Sequence, residues 1–255
     1  MKFIDRIVLG LVVVLSTVVL PSLGYQPQGI PVKDRIVPRD DHQRRLEQLL
    51  KNDSIKVLLV TGAAGTGKTL LSCQEALSQF QQKKRFKIVI TRPLVFVENE
   101  ELGFLPGNMN DKMTPWTMPI LDHMKEFLET SELKRLINEN KIEISPLGYM
   151  RGRTFKNSFI ILDEAQNTTP QQMKMFLTRI GSHSKIVVNG DLDQSDLTRG
   201  TMNGLEDFIL RLKSHYEGNP HAMYEEGFGV LHLQRENTYR HPIIENILKI
   251  YDGES

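Results

Sequence analysis

Thr61-Gly62-Ala63-Ala64-Gly65-Thr66-Gly67-Lys68-Thr69 is the stretch that decides the fold of this 255-residue chain. From Gly62 onward it fits G-x-x-x-x-G-K-[ST], the pattern of a phosphate-binding loop, or P-loop. The preceding run, 55–60, is mostly apolar and of strand length, and residues 70–80 contain neither Gly nor Pro. The motif therefore lies between a predicted strand and a predicted helix, as a P-loop requires.

The residue types of the P-loop explain how it would hold phosphate. Glycines let backbone N–H groups approach phosphate oxygens, and the N-terminus of the following helix favours negative charge. Lys68 supplies a cation for the β- and γ-phosphates, and Thr69 a hydroxyl for Mg²⁺. The alternative is a glycine-rich turn that matches by chance. We predict ATP binding by Gly62, Ala63, Ala64, Gly65, Thr66, Gly67, Lys68 and Thr69.

Composition sets broad limits on the class of protein. Hydrophobic residues make up 40% and charged residues 25%, an ordinary globular balance. The net charge of +1 indicates neither a nucleic-acid nor a membrane partner, so any such surface must be local. The single cysteine, Cys73, excludes an internal disulfide and a multi-cysteine metal site, and we expect a small buried thiol.

The first 24 residues resemble a targeting segment. Lys2 and Arg6 precede an uncharged stretch at 7–20, and Pro21 and small residues follow. A cleaved signal, an uncleaved membrane anchor and a buried element of the domain all remain open. Because the P-loop needs ATP, we expect the domain in the cytoplasm or another ATP-containing compartment. The predicted division is a leader at 1–24, a proline-rich linker at 25–39 and an ATPase domain at 40–255.

Alternating strand and helix patterns follow the P-loop. Residues 94–119 contain several Gly and Pro residues, which interrupt helices and strands, and we expect a long irregular functional loop there. The alternation favours an α/β fold with a mostly parallel sheet covered by helices on both faces. Strands are predicted at 87–91, 142–144, 159–162, 185–189 and 229–233, and helices at 42–51, 120–140, 170–180, 204–212 and 242–251.

An acidic pair ends the apolar run at 159–162. In a P-loop ATPase, Asp163 would hold Mg²⁺ through its water shell, and Glu164 would polarise the water that attacks the γ-phosphate. The alternative is an ordinary acidic turn. The combination with an upstream P-loop favours the catalytic interpretation.

Two later polar residues are candidates for contacts with the γ-phosphate. Gln194 follows the strand at 185–189, where its amide could contact both phosphate and lytic water, although a surface glutamine is a real competitor. Arg240 precedes the last predicted helix and could offset charge on the transferring phosphoryl group, in its own chain or a neighbour's.

Several long strings of this chain resemble the PhoH-like ATPases. Besides the P-loop they are Thr91-Arg92-Pro93, the residues 102–107 and 149–154, Ile161-Leu162-Asp163-Glu164-Ala165-Gln166 with 167–169, and 190–197. The likeness runs from about 39 to 251. Departures are Ala63, where the family usually has Pro, the segment 96–101, and the leader.

The resemblance implies a RecA-like P-loop NTPase core close to the ATPase half of superfamily-one helicases. By that comparison Arg92 lies in a nucleic-acid-contacting motif, and Gln194 matches the sensor glutamine. Arg240 matches the late arginine of the family, and Gln43 matches its adenine-reading position.

Three functions follow as hypotheses. The first is ATP hydrolysis coupled to single-stranded RNA or DNA. A helicase places two such units across one ATP, so this hypothesis predicts a homo-oligomer, for example a hexamer-type ring. The second is a slow ATP-dependent switch that acts in a stress response through a protein partner. The third, with least support, is a phosphotransferase to a small acceptor. The leader could add a membrane contact to any of them.

Overall fold

The computed structural model describes residue 33, residues 35–94, 109–197 and 202–234, and the positions 243, 244, 247 and 250. The leader at 1–24, most of the predicted linker, and the segment that holds Arg240 lie outside the described residues. Among the described helices, none is long and apolar enough to cross a membrane.

Helices and strands alternate along most of the described chain. The helices are α1 Asp41–Lys51, α2 Lys68–Gln81, α3 Met109–Lys125, α4 Thr130–Asn138, α5 Pro170–Leu177, α6 Gly204–His215 and α7 Pro220–Glu225. The strands are β1 Val57–Gly62, β2 Lys87–Arg92, β3 Ile142–Pro146, β4 Ser158–Leu162, β5 Lys185–Gly190 and β6 Phe228–Leu233. Short 3-10 helices lie at Leu147–Met150 and Ala165–Asn167.

The six described strands form one parallel sheet in the order β3-β2-β4-β5-β1-β6. The strand that ends in the P-loop and the strand that ends in Asp163 are therefore not neighbours, because β5 lies between them. Since parallel strands point the same way, the carboxyl ends of β1, β5 and β4 meet at one edge of the sheet. That edge is where ligands bind in open α/β sheets.

Helices cover both faces of the sheet. Alternate residues of β1 belong to separate cores: Leu58 and Val60 pack in one and Val57 and Leu59 in the other. The first core includes residues of α1, α2, α3 and α4, and the second includes residues of α5, α6 and α7. The expected fold class, an α/β P-loop NTPase with a parallel sheet and two helical layers, is confirmed. Cys73 on α2 is a fully buried free thiol, as predicted.

Local sequence explains where several helices begin. The Asp40 side chain accepts a hydrogen bond from the Gln43 backbone N–H and caps α1. Thr169 and Gln172 form a reciprocal capping box at the start of α5, with Pro170 in the first turn. Each cap supplies an acceptor for one N–H group of the first turn that lacks a partner within the helix.

The prediction of an irregular loop at 94–119 is wrong for its second half. Residues 109–119 belong to α3, which includes Pro115 and Pro119. Each proline removes a helical hydrogen bond, yet Ile120 and Met124 of the same helix are fully buried in the first core. Tertiary burial has outweighed the local preference of the prolines.

The single helix predicted at 120–140 is also wrong. The chain breaks between α3 and α4, and Glu129 is extended there. No Gly or Pro marks this break, and Phe127 and Leu128 are buried in it. The sequence pattern does not predict α7, because its six residues are too few for a helical repeat to be recognised.

Candidate functional site

The P-loop, residues 62–69, connects β1 directly to α2. Gly65 and Gly67 have φ angles of 88° and 89°, in the left-handed region that side-chain-bearing residues avoid. Gly67 is the N-cap of α2, which begins at Lys68. The loop therefore turns with its backbone close to the helix N-terminus, where N–H groups and the helix dipole favour an anion.

Lys68 folds back over the loop that precedes it. Its Nζ donates to the carbonyl oxygens of Gly62 at 2.6 Å and Ala63 at 2.9 Å. The side chain is buried. Neutral carbonyl groups thus hold the ammonium group at the loop, and phosphate oxygens could replace them as stronger, charged acceptors.

Thr69 and Asp163 come together across the edge of the sheet. The Thr69 hydroxyl donates to Asp163 Oδ1 at 2.6 Å. The backbone N–H of Asp163 donates to the carbonyl of Thr91 at 2.8 Å, which keeps Asp163 in line with the end of β2. The two residues predicted to serve Mg²⁺ are therefore in contact, although they are far apart in sequence.

Glu164 lies directly beyond Asp163 and is half-buried. Its φ of 53° is left-handed, which is uncommon for a residue with a side chain. Its Oε2 accepts a hydrogen bond from Gln166 Nε2 at 2.7 Å. Residues held in uncommon backbone conformations are frequent at functional sites, and Glu164 fits this pattern.

The loop after β5, residues 191–197, reaches the P-loop through Asp191 and not through Gln194. The carboxylate Oδ2 of Asp191 accepts from the backbone N–H of Ala64 at 3.2 Å. Asp191 is buried, whereas Gln194 is exposed and its backbone N–H donates to the Asp191 carbonyl. We call residues 191–197 the sensor loop, after the role predicted for Gln194.

Gln43 lies under the P-loop. Its Nε2 donates to the Thr66 carbonyl at 3.1 Å, and its Oε1 accepts from the Arg39 backbone N–H at 2.9 Å. The side chain is buried. Both ends of the amide that would read an adenine are bonded to backbone.

The predicted arginines are described unevenly. Arg92 ends β2 at the same edge of the sheet as the P-loop, and its half-buried side chain carries a buried Nε without a hydrogen-bond partner among the described residues. Arg240 lies outside the described residues, so its predicted role stays a prediction.

Sequence reasoning missed two residues of this site. Gln166, buried, donates to Glu164 and accepts from the backbone N–H of Asp191 at 3.0 Å. Asp191 binds the P-loop, as described above. Both residues follow shortly after a predicted strand, at 159–162 and 185–189, and this position was the sequence feature that could have identified them.

Known proteins provide an independent comparison. The family profile described as "PhoH-like protein" matches residues 35–252. The PhoH-like protein of Bacillus subtilis is 41% identical over 194 residues, which cover 76% of this chain and 57% of that protein. The PhoH-like protein of Mycobacterium bovis is 44% identical over 216 residues, covering 85% of this chain and 58% of that protein. The chain thus spans a little over half the length of these relatives.

The alignment with a solved structure of Pif1 helicase from Candida albicans covers 86% of this chain and 44% of the helicase chain. The two are 13% identical, with a TM-score of 0.40. A score at this level carries no argument about function, and the assignment depends on the sequence relatives. With 218 consecutive positions matched by one family profile, from 35 to 252, the chain belongs to the PhoH-like protein family.

Proposed function

We propose that the chain hydrolyses ATP with the help of Mg²⁺ and couples the reaction to single-stranded RNA or DNA. The observation that carries the proposal is the convergence of Lys68, Thr69, Asp163 and Glu164 at one edge of the sheet, with Thr69 and Asp163 in hydrogen-bond contact at 2.6 Å. A phosphate cradle, a metal-binding pair and an acidic base are the parts that P-loop hydrolysis needs.

The donor set suits Mg²⁺. Thr69 Oγ1 and Asp163 Oδ1 are hard oxygen donors, which Mg²⁺ prefers. The described residues hold no cluster of three or more His, Cys, Asp or Glu side chains that could form an all-protein metal site. A site with two protein oxygens fits an ion that completes its shell with water and phosphate. When bound, the cation offsets negative charge on the β- and γ-phosphates.

Glu164 is the proposed base for the attacking water. Glu164 follows Asp163 directly in the chain, and its carboxylate is held in one direction by Gln166. Gln194 and Arg240 are proposed to contact the γ-phosphate, and Gln43 to read the adenine. Gln43 would have to exchange its bond to the Thr66 carbonyl or the Arg39 N–H for one to the base.

Coupling to nucleic acid is supported by Arg92. It lies at the sheet edge that carries the P-loop, and a guanidinium is suited to phosphodiester contacts. The described residues form one sheet with one P-loop, so a homo-oligomer would supply the surface that faces the ATP. Light scattering in ATP and Mg²⁺ tests this point, and a monomer under these conditions would contradict it.

ATP turnover by the full chain, with and without single-stranded RNA, tests the function. We expect RNA to stimulate turnover. Glu164→Gln should lower kcat by roughly 1,000-fold because the water loses its base, and should leave ATP affinity within about threefold. Glu217→Gln, which changes an exposed glutamate, is the matched control.

Three other outcomes would each redirect the proposal. Normal hydrolysis by Glu164→Gln would remove Glu164 as the base. Turnover that neither RNA nor DNA changes would favour a slow switch that acts through a protein partner. Labelled phosphate on an acceptor other than water would indicate a phosphotransferase.

A further inference from the structure

A continuous set of hydrogen bonds joins the P-loop to the proposed base. The Ala64 N–H donates to Asp191 Oδ2 at 3.2 Å, and the Asp191 N–H donates to Gln166 Oε1 at 3.0 Å. Gln166 Nε2 then donates to Glu164 Oε2 at 2.7 Å. We call these four residues the relay. Gln166 is 2% exposed and Asp191 6%, so the two middle members are shielded from solvent.

The sensor loop is tied to the segment that carries the base. Ser195 Oγ donates to the Gln166 carbonyl at 3.1 Å. Asn167 and Asp196 exchange two hydrogen bonds, of 3.0 and 2.8 Å. These contacts join the sensor loop to residues 164–167 in addition to the relay. A shift of Asp191 would therefore also move residues 164–167.

The first bond of the relay is made to an anion. A carboxylate on a P-loop N–H occupies the kind of donor that a nucleotide phosphate uses. Two anions cannot share that donor, since negative charges a few ångströms apart repel strongly in a partly buried site. Phosphate entry would therefore displace the Asp191 carboxylate, and the same residue carries the N–H that binds Gln166.

The second half of the relay has little space to rearrange independently. A Cβ at Gly190 would lie 3.0 Å from Gln166 Oε1, so the glutamine amide packs directly on the end of β5. Glu164 is held in its left-handed conformation at the other end. The Gln166 amide therefore fixes the direction of the Glu164 carboxylate relative to the end of β5.

We propose that Gln166 is a positioning residue for Glu164 and that Asp191 is the anion that phosphate displaces. The relay then reports occupation of the P-loop to the base. The role of Gln166 rests on the proposed hydrolytic function of Glu164, whereas the role of Asp191 requires only that the P-loop binds phosphate.

Nucleotide affinity tests the Asp191 step. Asp191→Asn removes the negative charge that competes for the Ala64 N–H, so ATP and ADP should bind roughly 10-fold more tightly by calorimetry. Asp193→Asn, an exposed carboxylate in the same loop, is the matched control and should change affinity less than about twofold. Unchanged or weaker binding by Asp191→Asn would overturn the displacement.

Steady-state kinetics test the Gln166 step. Gln166→Met keeps the length but removes both hydrogen bonds, and should lower kcat roughly 30-fold with KM within threefold. Gln166→Glu retains an acceptor for the Asp191 N–H but places a second carboxylate beside Glu164. Because the donor to Glu164 is lost, this variant should lower kcat at least as much as Gln166→Met, with KM within threefold.

The outcomes separate the two proposals. If the unmodified chain binds ATP without hydrolysing it, the proposed function fails, while the affinity of Asp191→Asn still decides the displacement. If the chain hydrolyses ATP and Gln166→Met, folded by near-ultraviolet circular dichroism, keeps its kcat, Gln166 does not position the base. A Gln166→Glu variant that keeps the native kcat would contradict the relay in the same way.

Discussion

Lys185 and Lys68 are both buried and both donate to backbone carbonyls, but they lie at opposite ends of the sheet. Lys185 begins β5, and its Nζ lies 2.8, 2.7 and 2.9 Å from the carbonyl oxygens of Leu49, Leu50 and Asn52. These carbonyls are at the end of α1, where a helix lacks internal donors. Lys185 is thus a cap for α1 that comes from a distant strand.

Lys68 has the same chemistry in a different setting. It donates to the carbonyls of Gly62 and Ala63, in a loop whose next two residues, 64 and 65, are half-buried and exposed. An incoming phosphate can replace those acceptors, whereas nothing can reach the fully buried Lys185. Burial with partners is therefore not a functional signal by itself. The difference is whether the partners can be exchanged.

Lys68→Ala gives the largest expected effect. Loss of the cation should weaken ATP binding by about 100-fold, or about 3 kcal/mol, because the β- and γ-phosphates lose their main positive partner. The unfolding free energy should fall by only about 1 kcal/mol, because one of the two carbonyls, that of Ala63, is at a half-buried position where water can replace the lysine. Calorimetry and urea denaturation measure the two quantities, with the exposed Lys174→Ala as the control. If ATP affinity is unchanged, Lys68 has a structural role like that of Lys185.

Lys185→Met should show the opposite pattern. It leaves the buried carbonyls of Leu49 and Leu50, and the less buried carbonyl of Asn52, without the lysine donor. We expect the unfolding free energy to fall by about 3 kcal/mol. ATP affinity at a temperature where the variant is folded should stay within about threefold. Lys174→Met, on the exposed side of α5, is the matched control for urea denaturation. A stable variant with impaired nucleotide binding would break the comparison.

Glu143 extends the comparison to a mostly buried carboxylate that lies outside the candidate site and has charged partners. Burial acts to raise its pKa, but hydrogen bonds from Arg153 and Lys87 outweigh burial and lower the pKa to about 2. A carboxylate with a depressed folded-state pKa contributes stability above its unfolded value, and loses it as the pH falls towards 2.

The smallest effect is therefore expected for Glu143→Gln. At pH 7 the variant should be about 1 kcal/mol less stable, since one partner, Arg153, is partly exposed and screened. The difference should shrink as the pH falls from 4.5 to about 3, because Glu143 takes up a proton in the unfolded chain there and in the native state only near pH 2. Urea denaturation at several pH values measures it, with Glu217→Gln as the control. A difference that does not change with pH would contradict the ionic role.

The secondary structure predicted from the sequence agrees best with the observed structure for the strands. The strands β1, β2, β4 and β5 were predicted to within about two residues, because continuous apolar runs are typical of strands buried on both faces. The failures lie in α3, with its two prolines, and in the break before α4, which no Gly or Pro marks. In both places burial of side chains against the sheet outweighed local preference.

The candidate site divides in the same way. The sequence alone determined the P-loop, the Asp163-Glu164 pair and their order, because phosphate binding requires particular residue types at fixed spacing. Only the tertiary structure decided that β5 lies between β1 and β4, and that Asp191 therefore reaches the Ala64 N–H. Strand order and hydrogen bonds between distant segments come from packing the whole sheet, which a short motif does not encode.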